Sequence, residues 1–184
     1  VSCDTSGDDH GCKGGGPDTA FQWVINNGGI ATEEDYPYTG NDDACDSGKE
    51  SKKVGQFGSF QYLDRHNETL VLAALQNEGP ISIVVQATQV WQQYKGGIVT
   101  QKACGTTSSG IDHAVLAVGY GEEKGQKYWI VKNSWGAQWG EEGYIRLAFN
   151  ENACNCAVCF SYFVKTGKPS PSPGPGPGPS PGPA

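Results

Sequence analysis

The three histidines of this 184-residue sequence differ in the chemistry that their surroundings allow. His10 and His66 lie in polar stretches and are interpreted as surface residues. His113 follows Asp112 and opens an apolar run, residues 114–118, that predicts a strand. A histidine at the edge of a core strand is usually structural. On its own, His113 therefore has two interpretations, a packed core residue or an acid–base group.

A possible partner for His113 comes one strand later. Asn133, Ser134 and Trp135 follow a second apolar run, and a hairpin that pairs the two strands would make His113 and Asn133 neighbours. An asparagine carbonyl oxygen accepts an imidazole N–H, which fixes the tautomer and directs the other ring nitrogen outward. Trp135 would cover this bond from water.

The elements that must position these residues can be predicted from periodicity. One helix is expected over about 18–28, where Gly28-Gly29 ends it, and a second over about 68–78, between Asn67 and Gly79-Pro80. Strand-like runs follow at 81–86, 113–120, 127–133 and 144–149. A helix-led part followed by an antiparallel sheet predicts an α+β protein.

Composition excludes several classes of partner. The net charge is −7 and there is no basic run, so nucleic acid and anionic membranes are not expected as partners. The seven cysteines lack zinc-ribbon spacing apart from one isolated Cys-x-x-Cys, which favours disulfides in an oxidising compartment. Asn67-Glu68-Thr69 is a glycosylation sequon and agrees with that compartment. No metal or other cofactor is expected.

Residues 168–184 have a different composition from the rest. Proline occupies every second position from 169 to 183, and no apolar side chain is present that could form a core. This predicts a stiff polyproline-II spacer of Pro, Gly and Ser.

Four segments in order resemble the papain family of cysteine peptidases, and in particular its cathepsin L-like members. They are Cys3-Asp4 with the Gly11–Gly15 segment, Glu34-Asp35-Tyr36-Pro37-Tyr38, the run from Ile111 to Gly121, and the run from Tyr128 to Arg146. The resemblance covers residues 1 to about 166 and implies a papain-like two-domain fold. Residues 1–60 would be the remnant of the helical left domain, and residues 61–167 an antiparallel β-barrel right domain.

The resemblance implies a cysteine endopeptidase with a Cys–His–Asn mechanism that acts on protein or peptide substrates. His113 would be the general base and acid, Asn133 its orienting partner, and Trp135 and Asp112 their support. The family spacing places the nucleophile about 20 residues before Val1, and no cysteine here lies in a Cys-Gly-Ser/Ala-Cys-Trp context. The sequence is therefore expected to be a fragment without the nucleophile and inactive alone.

The same resemblance implies further sites and partners. Cys3 would pair with Cys45 and Cys104 with Cys154, while Cys12 would be left without its partner. Cys159 would form the floor of the S2 pocket and favour an apolar P2 side chain. The other substrate-binding residues would be Gly14, Gly15, Gly16, Pro17, Val84 and Ala114. A propeptide or a cystatin-like inhibitor is a possible partner, and the location would be lysosomal or secreted.

Two other interpretations stay open. The nucleophile could be replaced in the complete protein, which would make it a non-catalytic binding homologue. The polypeptide could also act as an adhesion or spacer module, although a spacer has no need of a His–Asn pair.

Overall fold

The computed structural model describes residues 1–105 and 110–157, together with the backbone of residues 160–164. Cys159 and the predicted spacer of residues 168–184 lie outside the described residues. The described chain forms two compact units, one of residues 1–61 with 163–164 and the other of Tyr62–Tyr162. No helix within the described ranges has the length and apolar character that crossing a bilayer would take.

The first unit contains one substantial helix. After a 3-10 helix at Gly11–Lys13, helix α1 spans Pro17–Asn27, and helix α2 is a single turn at Ser47–Glu50. Pro17 suits the first helical position because its missing N–H would be unpaired there anyway. Gly28 ends α1 with a left-handed φ of 74°, which a glycine adopts without a steric penalty. The predicted helix over 18–28 is confirmed.

The second unit begins with helix α3, which is fixed at both ends by its sequence. Strand β1 (Ser59–Leu63) precedes α3, which spans Glu68–Glu78 as the sequence predicts. The side chain of Asn67 accepts the N–H of Leu70 at 3.1 Å and so caps the first turn. Gly79, at φ 107°, and Pro80 end the helix.

Five strands and two short helices follow α3. They are β2 (Ile81–Val85), α4 (Gln89–Gln92), β3 (Ile98–Val99), α5 (Gln101–Cys104), β4 (His113–Glu123), β5 (Gln126–Lys132) and β6 (Tyr144–Ala148). A 3-10 helix at Ala153–Asn155 and strand β7 (Phe160–Val164) complete the order. The four predicted strand-like runs correspond to β2, β4, β5 and β6. The short strands β1, β3 and β7 were not predicted.

The sheet differs from the barrel that the resemblance implies. Its strand order is β1-β7-β2-β4-β5-β6-β3, with different strands at its two ends, so the described strands do not close into a barrel. Barrel closure requires hydrogen bonds between the end strands, and among the described pairings two-residue β3 is joined to β6 alone, in parallel orientation. The mixed α+β architecture is confirmed, and the other described pairings are antiparallel.

The core of the second unit lies against one face of this sheet. Alternate residues of β2 are buried, and buried residues of β4, β5, β6 and α3 complete the layer: Val71, Leu75, Ile81, Ile83, Val85, Val115, Ala117, Val131, Ile145 and Leu147. This alternation is the pattern expected of strands with one face buried. The hairpin of β4 and β5 turns at Lys124-Gly125 and places the start of β4 near the end of β5.

A buried carboxylate joins α3 to the sheet. Glu68, 5% exposed, accepts the indole N–H of Trp129 at 2.7 Å. It also accepts the backbone N–H groups of Asn150 and Asn152, both at 2.9 Å. Asn150 and Asn152 have positive φ values of 61° and 50°. Glu68 therefore accepts the free backbone N–H groups of the turn after β6. It does so from the first turn of α3, where the helix dipole favours an anion.

Candidate active site

His113 and Asn133 meet where the β4–β5 hairpin ends. His113 is the first residue of β4, and Asn133 follows directly after β5. The antiparallel register pairs Leu116 with Lys132, which brings the two side chains to the same end of the hairpin. Nε2 of His113 lies 2.8 Å from Oδ1 of Asn133. The predicted contact between these residues is therefore present.

The surroundings of the Asn133 amide determine which imidazole nitrogen carries the proton. Oδ1 of Asn133 also accepts the backbone N–H of Ser134 at 2.8 Å, which identifies this atom as the carbonyl oxygen. An amide oxygen can only accept, so Nε2 of His113 must donate. In the neutral ring, Nδ1 is then the nitrogen with a free lone pair. Asn133 is only 7% exposed, so water has little access to this bond.

Trp135 lies over the imidazole of His113. The two ring centroids are 5.0 Å apart and the ring planes are inclined by 29°, which is a stacked arrangement. Trp135 itself remains 41% exposed. Its indole therefore separates one face of the imidazole from solvent, and its cover of the hydrogen bond to Asn133 stays a prediction.

Two further tryptophans adjoin this site, and neither was assigned to it from the sequence. Trp91 of α4 contacts the His113 ring edge-on, and it stacks on Trp139 at 5.8 Å between centroids. Trp139 in turn meets Trp135 edge to face at 5.4 Å. Trp139 lies four residues after Trp135, but Trp91 is remote in sequence and carries no motif. Only the packing of α4 against the sheet brings Trp91 to the site.

Asp112, expected to support the His–Asn pair, makes its hydrogen bonds to the end of β2. Its Oδ1 accepts the backbone N–H of Ala87 at 2.8 Å, and its own N–H donates to Val85 O at 3.1 Å. Both bonds join the start of β4 to the end of β2. Asp112 therefore supports the strand that carries His113, and no hydrogen bond between its carboxylate and the imidazole is present among the described contacts.

The predicted substrate-binding residues of the first unit form one tight loop. Gly14 has a φ of 113°, a conformation that side chains disfavour. A Cβ on Gly15 would lie 2.0 Å from Oδ1 of Asp9, so a larger residue here would displace the Asp9 carboxylate. The same carboxylate oxygen accepts the N–H of Gly16 at 2.9 Å. Pro17 follows as the first residue of α1.

The other predicted pocket residues lie in the second unit. Val84 and Ala114 are a cross-strand pair of β2 and β4, next to the pair formed by Val85 and His113. Because side chains alternate along a strand, Val84 and Ala114 lie on the face opposite to the buried Ile83. The role proposed for Cys159 falls outside the described residues.

The first unit also contains a cavity of about 370 Å³ that the sequence did not indicate. Its wall includes Trp23 and Val24 of α1, as well as Ile30 and Tyr36. The Gly14–Pro17 loop is not part of this wall.

The cysteines fall into two groups. Cys3–Cys45 and Cys104–Cys154 are disulfides, and these are the pairs that the resemblance implies. Among the described residues, Cys12 and Cys156 are free thiols. Cys12 is exposed. Cys156 is 1% exposed, and burial raises the pKa of its thiol well above the ordinary value, so the neutral form is strongly favoured.

The family to which the chain belongs is decided by comparison with known proteins. The model of the papain family cysteine proteases matches residues 1–164. The chain belongs to the papain family. This match covers both units and includes the elements that carry His113 and Asn133.

Individual papain-family relatives agree with this assignment. The chain is 41% identical to mouse pro-cathepsin H over 88% of its own length, and 45% identical to the Arabidopsis thaliana cysteine proteinase RD21A over 91%. It spans 48% of the first relative and 36% of the second. The chain thus covers half or less of the length of these proteins.

Solved papain-family structures share the fold. Procathepsin L 3 from the larval midgut of Tenebrio molitor superposes with a TM-score of 0.81 at 37% identity, over 89% of this chain and 53% of that one. Bromelain from Ananas comosus, solved with the inhibitor E64, superposes with a TM-score of 0.77 at 36% identity. This match covers 85% of this chain and 73% of the bromelain chain. Together with the disulfides, the cathepsin-like relatives indicate a compartment of the secretory pathway.

Proposed function

We propose that the complete protein is a cysteine endopeptidase that hydrolyses peptide bonds by a Cys–His–Asn mechanism. The observation that carries this proposal is the 2.8 Å bond from Nε2 of His113 to Oδ1 of Asn133. That bond leaves Nδ1 of the neutral ring free to take a proton from a thiol. Family membership supports the reaction class, and the geometry supports the assignment of the two residues.

In the proposed reaction, His113 first accepts the thiol proton at Nδ1. The thiolate attacks the substrate carbonyl carbon, and His113 then gives this proton to the leaving amine as the peptide C–N bond breaks. The remaining thioester is hydrolysed by water, which regenerates the thiol. Asn133 holds the imidazole in the required tautomer throughout, and Trp135 restricts water at the shared hydrogen bond.

The attacking thiol is expected ahead of Val1, where the family spacing places it. We therefore expect the 184-residue polypeptide alone to hydrolyse no peptide. Of the cysteines described in the second unit, Cys104 and Cys154 are bonded to each other. Cys156 is buried as a neutral thiol. Neither state suits a nucleophile, because the reactive form of cysteine is an accessible thiolate.

In the first unit, substrate would bind as an extended strand along the Gly14–Gly15 backbone, with Gly16 and Pro17 beside it. In the second unit, Val84 and Ala114 would contact substrate side chains. The hydrogen bond from Gly16 to Asp9 supports this role because it fixes the loop before substrate arrives. Cys159 is proposed for the floor of the S2 pocket. Endopeptidase action is favoured because nothing in the sequence resembles the histidine-bearing occluding loop of cathepsin B. A propeptide or cystatin-like inhibitor would bind to the same residues.

We also propose a location for this protein, a modification of Asn67 and a role for the tail. We expect it to act in a lysosome or outside the cell, with Asn67 glycosylated. Asn67 is partly exposed and keeps its capping oxygen when its nitrogen carries a glycan, so the helix cap and the modification are compatible. The tail over 168–184 would separate the peptidase from whatever it tethers.

The test is expression of the complete protein with its upstream coding sequence. We expect hydrolysis of a peptide with an apolar P2 side chain and covalent labelling by E64, the inhibitor present in the bromelain structure. His113→Ala should lower kcat/KM by at least about 10²-fold, whereas the matched control His66→Ala should change it little.

Two results would count against the proposal. Full activity of the His113→Ala variant would remove His113 from the mechanism. A complete protein whose upstream segment has no cysteine at the expected position, and which binds peptides without cleaving them, would instead be the non-catalytic homologue.

A further inference from the structure

Trp91 is a buried residue at the candidate site that the proposed chemistry does not use. It lies in the single-turn helix α4 and is 0% exposed. Its ring meets the His113 imidazole edge-on, with 6.2 Å between centroids and 82° between planes. On its other side it stacks on Trp139 at an angle of 29°. Trp91 thus touches the imidazole directly and also touches a ring that belongs to the same cluster.

These contacts form a closed circuit of four rings. Trp91 contacts His113 and Trp139, Trp139 contacts Trp135, and Trp135 stacks on His113. We call these four residues the aromatic circuit. In a closed circuit each ring is restrained by two neighbours, so the imidazole cannot tilt without moving a stacked or edge-on tryptophan. Trp135 limits tilting toward solvent, and Trp91 restrains the ring from the buried side.

Hydrogen bonding does not explain why an indole occupies this position. Nε1 of Trp91 is buried and has no acceptor among the described residues. A buried N–H without an acceptor is unfavourable, and a phenyl ring would avoid it. The indole is large enough for one side chain to contact both Trp139 and His113.

We propose that Trp91 is a positioning residue for His113. It holds the imidazole at the angle from which Nε2 donates to Asn133, and it acts through ring contacts without touching substrate. The consequence for catalysis rests on the proposed function. The orientation of the His113 ring is independent of the proposed function, and it can be measured in this chain without any hydrolysis.

The experiment is NMR of the full 184-residue chain with 15N-labelled histidine at one fixed pH. Only three histidines are present, and His10 and His66 serve as internal references for His113. The readouts are the chemical shift of the His113 Nε2 proton and its rate of exchange with solvent, because a hydrogen-bonded proton exchanges only when the bond opens. A buried N–H on the same sheet, the indole of Trp129 bonded to Glu68, reports whether the unit is folded.

Trp91→Leu removes the ring and keeps an apolar side chain. We expect the His113 Nε2 proton to exchange about three to ten times faster and its resonance to shift, in line with the strength of aromatic ring pairs. Trp91→Phe restores one ring and should recover part of the protection. Trp23→Phe, a tryptophan substitution in the other unit, is the matched control and should leave His113 unchanged.

The proposal is overturned if exchange at His113 stays within twofold of wild type in Trp91→Leu while the Trp129 signal shows a folded unit. If Trp91→Leu alone unfolds, Trp91→Phe is judged by the same criterion. Loss of the Trp129 signal in both variants would make Trp91 a core residue only and would also reject the proposal. A complete protein that is inactive although its His113 proton is well protected would count against the peptidase function alone.

Discussion

The buried carboxylate of Glu68 offers a sharp test of what holds the second unit together. Glu68 accepts three N–H groups at 2.7 to 2.9 Å, two at Oε2 and one at Oε1. The perturbation we consider is Glu68→Gln, which keeps the shape of the side chain but replaces one acceptor oxygen by an NH2 donor. No orientation of the amide can then accept all three groups.

The expected cost follows from counting these bonds. If the glutamine oxygen takes the Oε2 position, it still accepts the N–H groups of Trp129 and Asn150, but these hydrogen bonds are now to a neutral oxygen. The NH2 group of the glutamine then faces the N–H of Asn152, and neither donor has an acceptor. Hydrogen bonds to charged groups contribute about 1.5–3 kcal/mol against about 0.5–1.5 kcal/mol for neutral ones, and an unpaired buried donor costs about 1–3 kcal/mol. Two bonds weakened by about 1 kcal/mol each and one donor left unpaired therefore give an expected net loss of about 3–5 kcal/mol in the free energy of unfolding.

The assay is thermal unfolding combined with amide hydrogen exchange. For a chain of this size, the loss corresponds to a Tm lower by about 6 to 20 °C. Exchange at the amides of Asn150 and Asn152 should accelerate before global unfolding. Glu78→Gln is the matched control, since Glu78 is exposed at the other end of the same helix. A Glu68→Gln protein within about 0.5 kcal/mol of wild type would refute the reasoning.

Two further predictions concern charge and thiol reactivity. Burial tends to raise the pKa of Glu141, but the bidentate contact with Arg146 outweighs it and holds this pKa below its ordinary 4.5. The ion pair therefore stabilises the fold above about pH 4.5. This contribution is lost as the pH falls through the pKa of Glu141 in the folded state. Glu141→Gln should therefore lower the free energy of unfolding by about 2 kcal/mol at pH 7, and the difference should shrink in acid. A constant difference down to pH 3 would contradict this, with the exposed Glu142→Gln as control. In native protein treated with a maleimide, peptide mapping should find Cys12 modified and Cys156 modified only after unfolding, because Cys156 is buried as a neutral thiol. Equal labelling of both cysteines before unfolding would show that the burial of Cys156 is wrong.

Helix ends were predictable because the residues that form them act locally. Asn67 caps the N–H of Leu70 three residues away, and Gly79-Pro80 removes the means to continue the helix, so the ends of α3 agree with the prediction. The meeting of His113 with Asn133 was predictable for a related reason. A hairpin with a short turn fixes its own register, so counting along β4 and β5 was enough.

Other features went beyond the reach of the sequence because they depend on partners that are remote in the sequence. The barrel was implied by resemblance, but closure depends on hydrogen bonds between end strands, and here β1 and β3 end an open order. From the sequence, Glu68 is expected to be an ordinary charged residue at the start of a helix and the middle residue of a glycosylation sequon. Its burial is decided by the turn after β6, which lies more than 80 residues away.

The sequence by itself determined the family, the positions of α1, α3, β2, β4, β5 and β6, and the His–Asn pair of the candidate site, because each rests on spacing that a short stretch of chain enforces. Only the tertiary structure placed Trp91 against His113 and gave the buried Glu68 its three donors. These contacts join elements whose separation along the chain is unrelated to their separation in space. Apolar packing brings such elements together, and the chemistry of each side chain then depends on which neighbours that packing supplies.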